Sequence, residues 1–203
     1  MSYNINDFVR LTNIDTTDSL RPDWEERLER LLPKRPYIRV THLFDYDQVF
    51  NPSWIQLLNS KGLNPPSCLV FSRDPGYQHF EAHIDVDETF NVGKVVNYSF
   101  NLITDADTDS YMTWYRPLTA GRYTESPVSG KTIGYYTWPI EDCEEIIAAP
   151  VNQFKLWMVN TGNPYPHSVR MGNRKRTCFA FKSMDTDNTW EQAVEIYKDI
   201  LEK

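Results

Sequence analysis

The sequence predicts a mainly β protein, α+β by content, in which short antiparallel strands form a sandwich or barrel flanked by helices. Three observations carry that expectation. From Cys68 onward, seven short strand-like segments are separated by polar turns, at 68–72, 80–86, 94–103, 111–115, 154–159, 167–170 and 176–182. Residues 22–62 hold two stretches with helical spacing of apolar residues, and a third closes the chain at 188–202. The chain has 203 residues, 40% of them hydrophobic, which suits one domain with a sizeable core over 1–203; no internal repeat or low-complexity tract interrupts it.

Residues 1–21 are polar, show no clear period and receive no assignment. A helix starts at Pro22-Asp23, places Trp24, Leu28, Leu31 and Leu32 on one side, and ends at Pro33 and Pro36. Residues 37–44 read as a strand with His42 on its surface or at a hydrogen-bonded corner. A second helix begins at Asp45 or at Pro52, carries Trp54, Ile55, Leu57 and Leu58, and stops near Gly62. Within the strand series, Asp105, Asp107 and Asp109 read as an acidic hairpin turn. A calcium loop would need glycine where Ser110 stands and glutamate where Arg116 stands. The long segment 116–152 contains a candidate hairpin arm at 132–138 and serves as a lid or as a surface elaboration. Asn188-Thr189-Trp190-Glu191 resembles a capping box, and Trp190, Ala193, Val194, Tyr197 and Leu201 follow at helical spacing.

Composition narrows the class of function. A net charge of -7 repels a phosphate backbone and disfavours nucleic acid as a partner. The local cluster Arg170, Arg174, Lys175 and Arg176 instead suits a small anion. Cys68, Cys143 and Cys178 are odd in number and widely spaced, which argues against a disulfide framework and fits a reducing, cytoplasmic setting; without a Cys-x-x-Cys pair there is no zinc ribbon. No apolar run reaches membrane-spanning length and the first residues lack a signal pattern, so a soluble protein with no membrane partner is expected.

The chemistry centres on Glu81-Ala82-His83-Ile84-Asp85 and on Pro166-His167-Ser168-Val169-Arg170. Alternate side chains of an extended strand share a face, so His83 and Asp85 project together and Ile84 turns away. An imidazole and a carboxylate supply two corners of a metal site, and His167 is the best candidate for a third, completing a 2-His-1-carboxylate face with open positions. In the last strand Arg176, Cys178 and Ala180 share one face, while Thr177, Phe179 and Phe181 share the other. If the phenylalanines meet helices, Arg176 points inward, where an unpaired guanidinium is costly and a bound carboxylate would satisfy it. Arg174 has the same parity and is the alternative anchor.

His83-x-Asp85, then His167, then Arg176 nine residues later resembles the iron(II)/2-oxoglutarate-dependent dioxygenase family over about residues 68–182. The resemblance implies a double-stranded β-helix (jelly-roll) core and Fe(II) held by His83, Asp85 and His167. It also implies 2-oxoglutarate as cosubstrate, O2 as oxidant, and Arg176 on the distal carboxylate of 2-oxoglutarate. Asn97 or Asn101 would hydrogen-bond the cosubstrate if the polar side of their strand faces the cavity. Cys178 departs from the family pattern, which often has a hydroxyl residue there. The implied activity is hydroxylation or oxidative demethylation of a small molecule or peptide. The alternative is a cupin-like module that holds a metal or small acid without turnover. Trp114 and Tyr115 are expected in the core or on a substrate wall.

Overall fold

Strands with an aromatic face and a small or polar face need two different partners, and two antiparallel sheets with helices on one outer side provide them. The computed structural model describes residues 3–75, 77, 81–86, 94–104, 109–128, 131–151, 154–182 and 187–202. In chain order the elements are β1 (Val9–Leu11), α1 (Trp24–Leu31), β2 (Ile38–Leu43), α2 (Pro52–Ser60), β3 (Cys68–Arg73), β4 (Glu81–His83), β5 (Tyr98–Thr104), β6 (Tyr111–Pro117), β7 (Arg122–Val128), β8 (Lys131–Pro139), β9 (Cys143–Ala149), β10 (Leu156–Asn160), β11 (His167–Arg170), β12 (Arg176–Lys182) and α3 (Trp190–Ile196). The protein is mainly β.

The first sheet runs β1-β10-β5-β12-β3-β2 and the second β7-β8-β4-β11-β6-β9, with antiparallel pairing in both. From β3 to β6, and again from β9 to β12, each successive strand lies in the other sheet. That alternation inserts β12 between β3 and β5, and β11 between β4 and β6. Residues some eighty positions apart in the chain thereby become neighbours.

The outer face of the first sheet takes the helices. Phe179 packs against Trp24 and Phe50, at ring-centroid distances of 5.8 and 5.0 Å, and Phe181 against Phe50 and Trp54 at 5.3 and 5.8 Å. Leu28, Leu32 and Leu58 join the same cluster, and Tyr197, just past α3, reaches Phe100 at 5.0 Å. The opposite face meets the second sheet. There Leu69, Ile103, Cys178 and Ala180 face Met112, Trp114 and Ala149.

Several boundaries differ from the sequence expectation, each for a local reason. Leu31 is exposed, so α1 buries a narrower side than its apolar spacing implied. α2 starts at Pro52, where proline at the first turn lacks no needed donor; Asp45 instead caps a separate 3-10 turn at Tyr46–Gln48. Gly62 takes φ +81 beyond α2, a conformation glycine adopts without strain. The cap of α3 sits one residue later than expected, with Thr189 and Gln192 bonding reciprocally, and the helix gives way to a 3-10 turn at Lys198–Ile200. Part of the polar 1–21 segment forms β1, recruited by pairing with β10.

The 116–152 segment is largely strand. β7 and β8 form a hairpin whose second strand pairs with β4, and β9 pairs with β6. β3 extends one residue further than expected, to Arg73, whereas β4 is only three residues and β5 begins at Tyr98. Phe80, and most of the 105–109 turn, lie outside the described residues.

Phe179 is fully buried between α1, Phe50 and the sheet. Phe179→Ala should therefore cost about 3–5 kcal/mol of stability, read by chemical denaturation. A loss under about 1 kcal/mol would mean that the helices do not depend on this face.

Candidate metal centre

β4 and β11 meet at one register point, His83 opposite His167. Directly opposed residues on antiparallel strands share a face, and the two imidazole centroids lie 4.6 Å apart. Asp85 lies just past β4, and its backbone is held on both sides. Its N–H donates to the Thr161 carbonyl at 3.0 Å, and its carbonyl accepts from the Val96 N–H at 2.9 Å. Ile84 between the two ligand candidates is itself buried.

The Asp85 Oδ1 atom is 3.5 Å from His83 Nε2 and 3.7 Å from His167 Nε2. One ligand atom from each residue lies within 4.8 Å of the others, a group that could hold a metal ion. Donors about 2.0–2.2 Å from one ion and sharing an octahedral face sit about 3 Å apart, so a small contraction would close the set. Side-chain exposure falls from 20% at His83 to 13% at Asp85 and 5% at His167, which puts the open side by His83. The edge of the Tyr135 ring flanks that side, 6.4 Å from His83.

Electrostatics favour the ligating forms. Burial pulls the Asp85 pKa up, but the Lys182 ammonium and the His83 hydrogen bond more than offset this and hold the carboxyl below its usual range. Lys182 reaches this place by donating from Nζ to the Val86 carbonyl at 2.9 Å. Burial, followed by the neighbouring His83, pushes His167 down to about 3, so at neutral pH its nitrogen lone pair is free to bind a cation. Two imidazoles and one carboxylate suit a first-row metal that reacts through its open positions. His167 Nδ1 has no hydrogen-bond partner among the described residues, whereas ligating histidines usually donate from the second nitrogen.

The anion candidates separate cleanly. Arg176 is 1% exposed on the face between the sheets, and its Nε and one terminal nitrogen are unpartnered among the described residues. Arg174 and Arg170 are exposed, and Lys175 pairs with Glu29 at 3.0 Å, so the basic cluster of the sequence sends Arg176 alone into the interior. Asn101 is buried on the interior face, opposite Ala180, and accepts a hydrogen bond from Ser99 Oγ at 2.9 Å. Asn97 faces elsewhere. Its amide donates to the Asn188 carbonyl at 2.9 Å and its backbone packs on Gly162, where an added Cβ would come within 2.7 Å of the Asn97 Cα. Trp114 is buried core directly opposite His167 and shares its face, whereas Tyr115 bonds Ser168 Oγ at 3.1 Å on the far side of the second sheet, away from the triad. A groove of about 690 Å³ lined by Tyr111, Thr113, Tyr115 and Arg170 lies on that same far side.

Sequence reasoning passed over three groups near the site. Lys182 and Arg73 have the inward parity of Arg176 and Leu69 respectively, a signal lost for Arg73 when its strand was ended at Ser72. Tyr135 requires the β8–β4 pairing, which no local pattern announces.

Asp85→Asn keeps the shape and removes the charge. It should leave the far-ultraviolet circular dichroism unchanged and weaken Co(II) or Ni(II) binding by about 100-fold, since even outer-shell changes cost 10–100-fold. Unaltered metal affinity in a folded variant would remove Asp85 from the centre. No protein-family model, curated protein or solved structure matches this chain.

Proposed function

We propose that the protein is an Fe(II)- and 2-oxoglutarate-dependent oxygenase that hydroxylates or oxidatively demethylates a small molecule or peptide. One observation carries this reading: a 2-His-1-carboxylate group and a buried, incompletely partnered arginine both lie between the two sheets. The strand order supports it. Taking β3, β4, β5, β6, β9, β10, β11 and β12 as eight core strands numbered 1–8 in chain order, one sheet runs 6-3-8-1 and the other 2-7-4-5. That alternation fits a jelly roll, the double-stranded β-helix that the reading proposes.

His83, Asp85 and His167 would hold the iron, and Arg176 would receive the distal carboxylate of 2-oxoglutarate. Bound iron, with 2-oxoglutarate as reductant, supplies the O2 chemistry. The chain's own contribution is placement. Asp85 provides the single negative charge, kept ionised by Lys182. Met112, Trp114, Ile103 and Leu69 pack together between the sheets, apolar surroundings that would strengthen charge interactions next to them. Tyr135 stands at the exposed His83 edge, where substrate would approach. Asn101 would contact the cosubstrate by exchanging its Ser99 bond.

Truncating Arg176 would leave a buried carboxylate unpaired, which typically costs about 3–5 kcal/mol. Arg176→Ala should then weaken 2-oxoglutarate binding to the anaerobic Fe(II) protein by about 100-fold or more. Arg176→Lys should be intermediate, and Arg174→Ala close to wild type. The companion measurement is slow succinate formation from 2-oxoglutarate without added substrate. Metal and acid binding with no succinate under any condition would favour the cupin-like binding module.

A further inference from the structure

One cross-strand row runs from the core of the second sheet to its edge. Trp114 stands opposite His167, His167 opposite His83, His83 opposite Thr137, and Thr137 opposite Arg122 on the edge strand β7. Directly opposed residues share a face, so Thr137 and Arg122 lie on the same side of the sheet as the metal-ligand candidates. Two contacts agree with this facing: Thr124 Oγ1 is 3.1 Å from Thr137 Oγ1, and the Tyr135 ring flanks His83. The alternate residues Tyr123 and Tyr136 meet on the outer face. Two strand spacings, about 10 Å, separate the Arg122 backbone from that of His83.

The sandwich is packed at one end of this row and open at the other. Trp114, His167 and Thr137 are buried, His83 is half-buried, and Arg122 is exposed, with no ion pair among the described residues. An exposed carboxylate on this face, Glu81, stands opposite Pro139 and is offset from Arg122 along the strands. The first sheet opens at its own edge. Ile38 and Val40 of β2 stand opposite Arg73 and Phe71, on the inward parity of Leu69, and Ile38, Val40 and Phe71 are all only half-buried. Asp85 acts electrostatically on Arg73, directly across from Ile38, so this edge lies on the triad's side of the sandwich. The mouth beside His83 thus has an apolar wall on β2 and β3, and a hydroxyl-bearing wall on the β7–β8 hairpin with the Arg122 guanidinium at its rim.

We propose that this mouth is the substrate cleft and that Arg122 determines its specificity, so that the substrate is a small organic acid with an apolar body. The body lies along Ile38, Val40 and Phe71, the carboxylate pairs with Arg122, and the far end comes to the open side of His83. A guanidinium receives a carboxylate through two parallel hydrogen bonds, which an uncharged amide cannot reproduce. That the bound acid is the substrate rests on the oxygenase reading above; charge-selective binding in the mouth does not.

The test uses the full-length protein and three probes of one shape, 3-phenylpropionate, 3-phenylpropanamide and 3-phenylpropylamine, with affinities read calorimetrically. Wild type should bind the acid about tenfold more tightly than the amide. Arg122→Gln should abolish that preference and leave amide binding unchanged, and Arg122→Lys should keep part of it. Arg122→Glu should reverse it, binding the amine about fivefold or more tightly than wild type does. An arginine with a merely structural role gives no such reversal. Arg170→Gln, on the far side of the second sheet, should match wild type. In the Co(II)-loaded protein, the metal should speed relaxation of the acid's ring protons more than that of the methylene next to its carboxylate. Equal acid affinity in wild type and Arg122→Gln would overturn the cleft, as would a wild type that does not prefer the acid. Acid binding lost in Arg176→Ala but retained in Arg122→Gln would also overturn it. Succinate formation by the Fe(II) protein is scored separately. Arg122-dependent acid binding with no succinate formed from 2-oxoglutarate keeps the cleft and removes the oxygenase. Succinate formation with acid binding independent of Arg122 keeps the oxygenase and removes the cleft.

Discussion

The pairing of His83 with His167 is the contact on which the site depends. β4 is three residues long and would be a frayed edge by itself. It is held by β8 on one side, through Glu81–Pro139, Ala82–Trp138 and His83–Thr137, and by β11 on the other. The β7–β8 hairpin is therefore a brace for the ligand strand, whatever else its outer surface does. Thr161 and Val96 then hold Asp85, so each member of the triad is positioned by backbone bonds from a different part of the chain.

The two faces of the first sheet carry different kinds of residue. Its outer face is aromatic and packed by three helices, a source of the large transfer and packing terms that hold a domain together. Its inner face carries Arg73, Arg176 and Lys182 on strands β3 and β12, where apolar residues would be more stable. The helical face supplies the stability that offsets the cost.

How much of this could be read in the sequence follows from the range of each interaction. Parity along one strand is local, so the opposite facing of Arg176 and Phe179 and the shared facing of His83 and Asp85 were legible from spacing alone. The basic run at 170–176 was legible only as composition. Which member turned inward depended on where β12 began, and the structure starts it at Arg176 with Arg174 in the preceding turn. Pairing between distant strands has no local signature. Arg73 opposite Arg176 and Tyr135 beside His83 both depend on it. Asn97 shows the limit from the other side: it precedes β5, so alternation within the strand did not govern its direction, and its amide serves the start of α3.

The central claim is that one ligand joins the metal centre to the buried arginine. Anomalous diffraction at the iron edge, from crystals grown anaerobically with Fe(II) and 2-oxoglutarate, tests it most directly. The account predicts one iron peak about 2.0–2.2 Å from His83 Nε2, an Asp85 carboxylate oxygen and His167 Nε2, with continuous ligand density from that peak to Arg176. Iron bound outside the triad, or a ligand whose far carboxylate avoids Arg176, would contradict it.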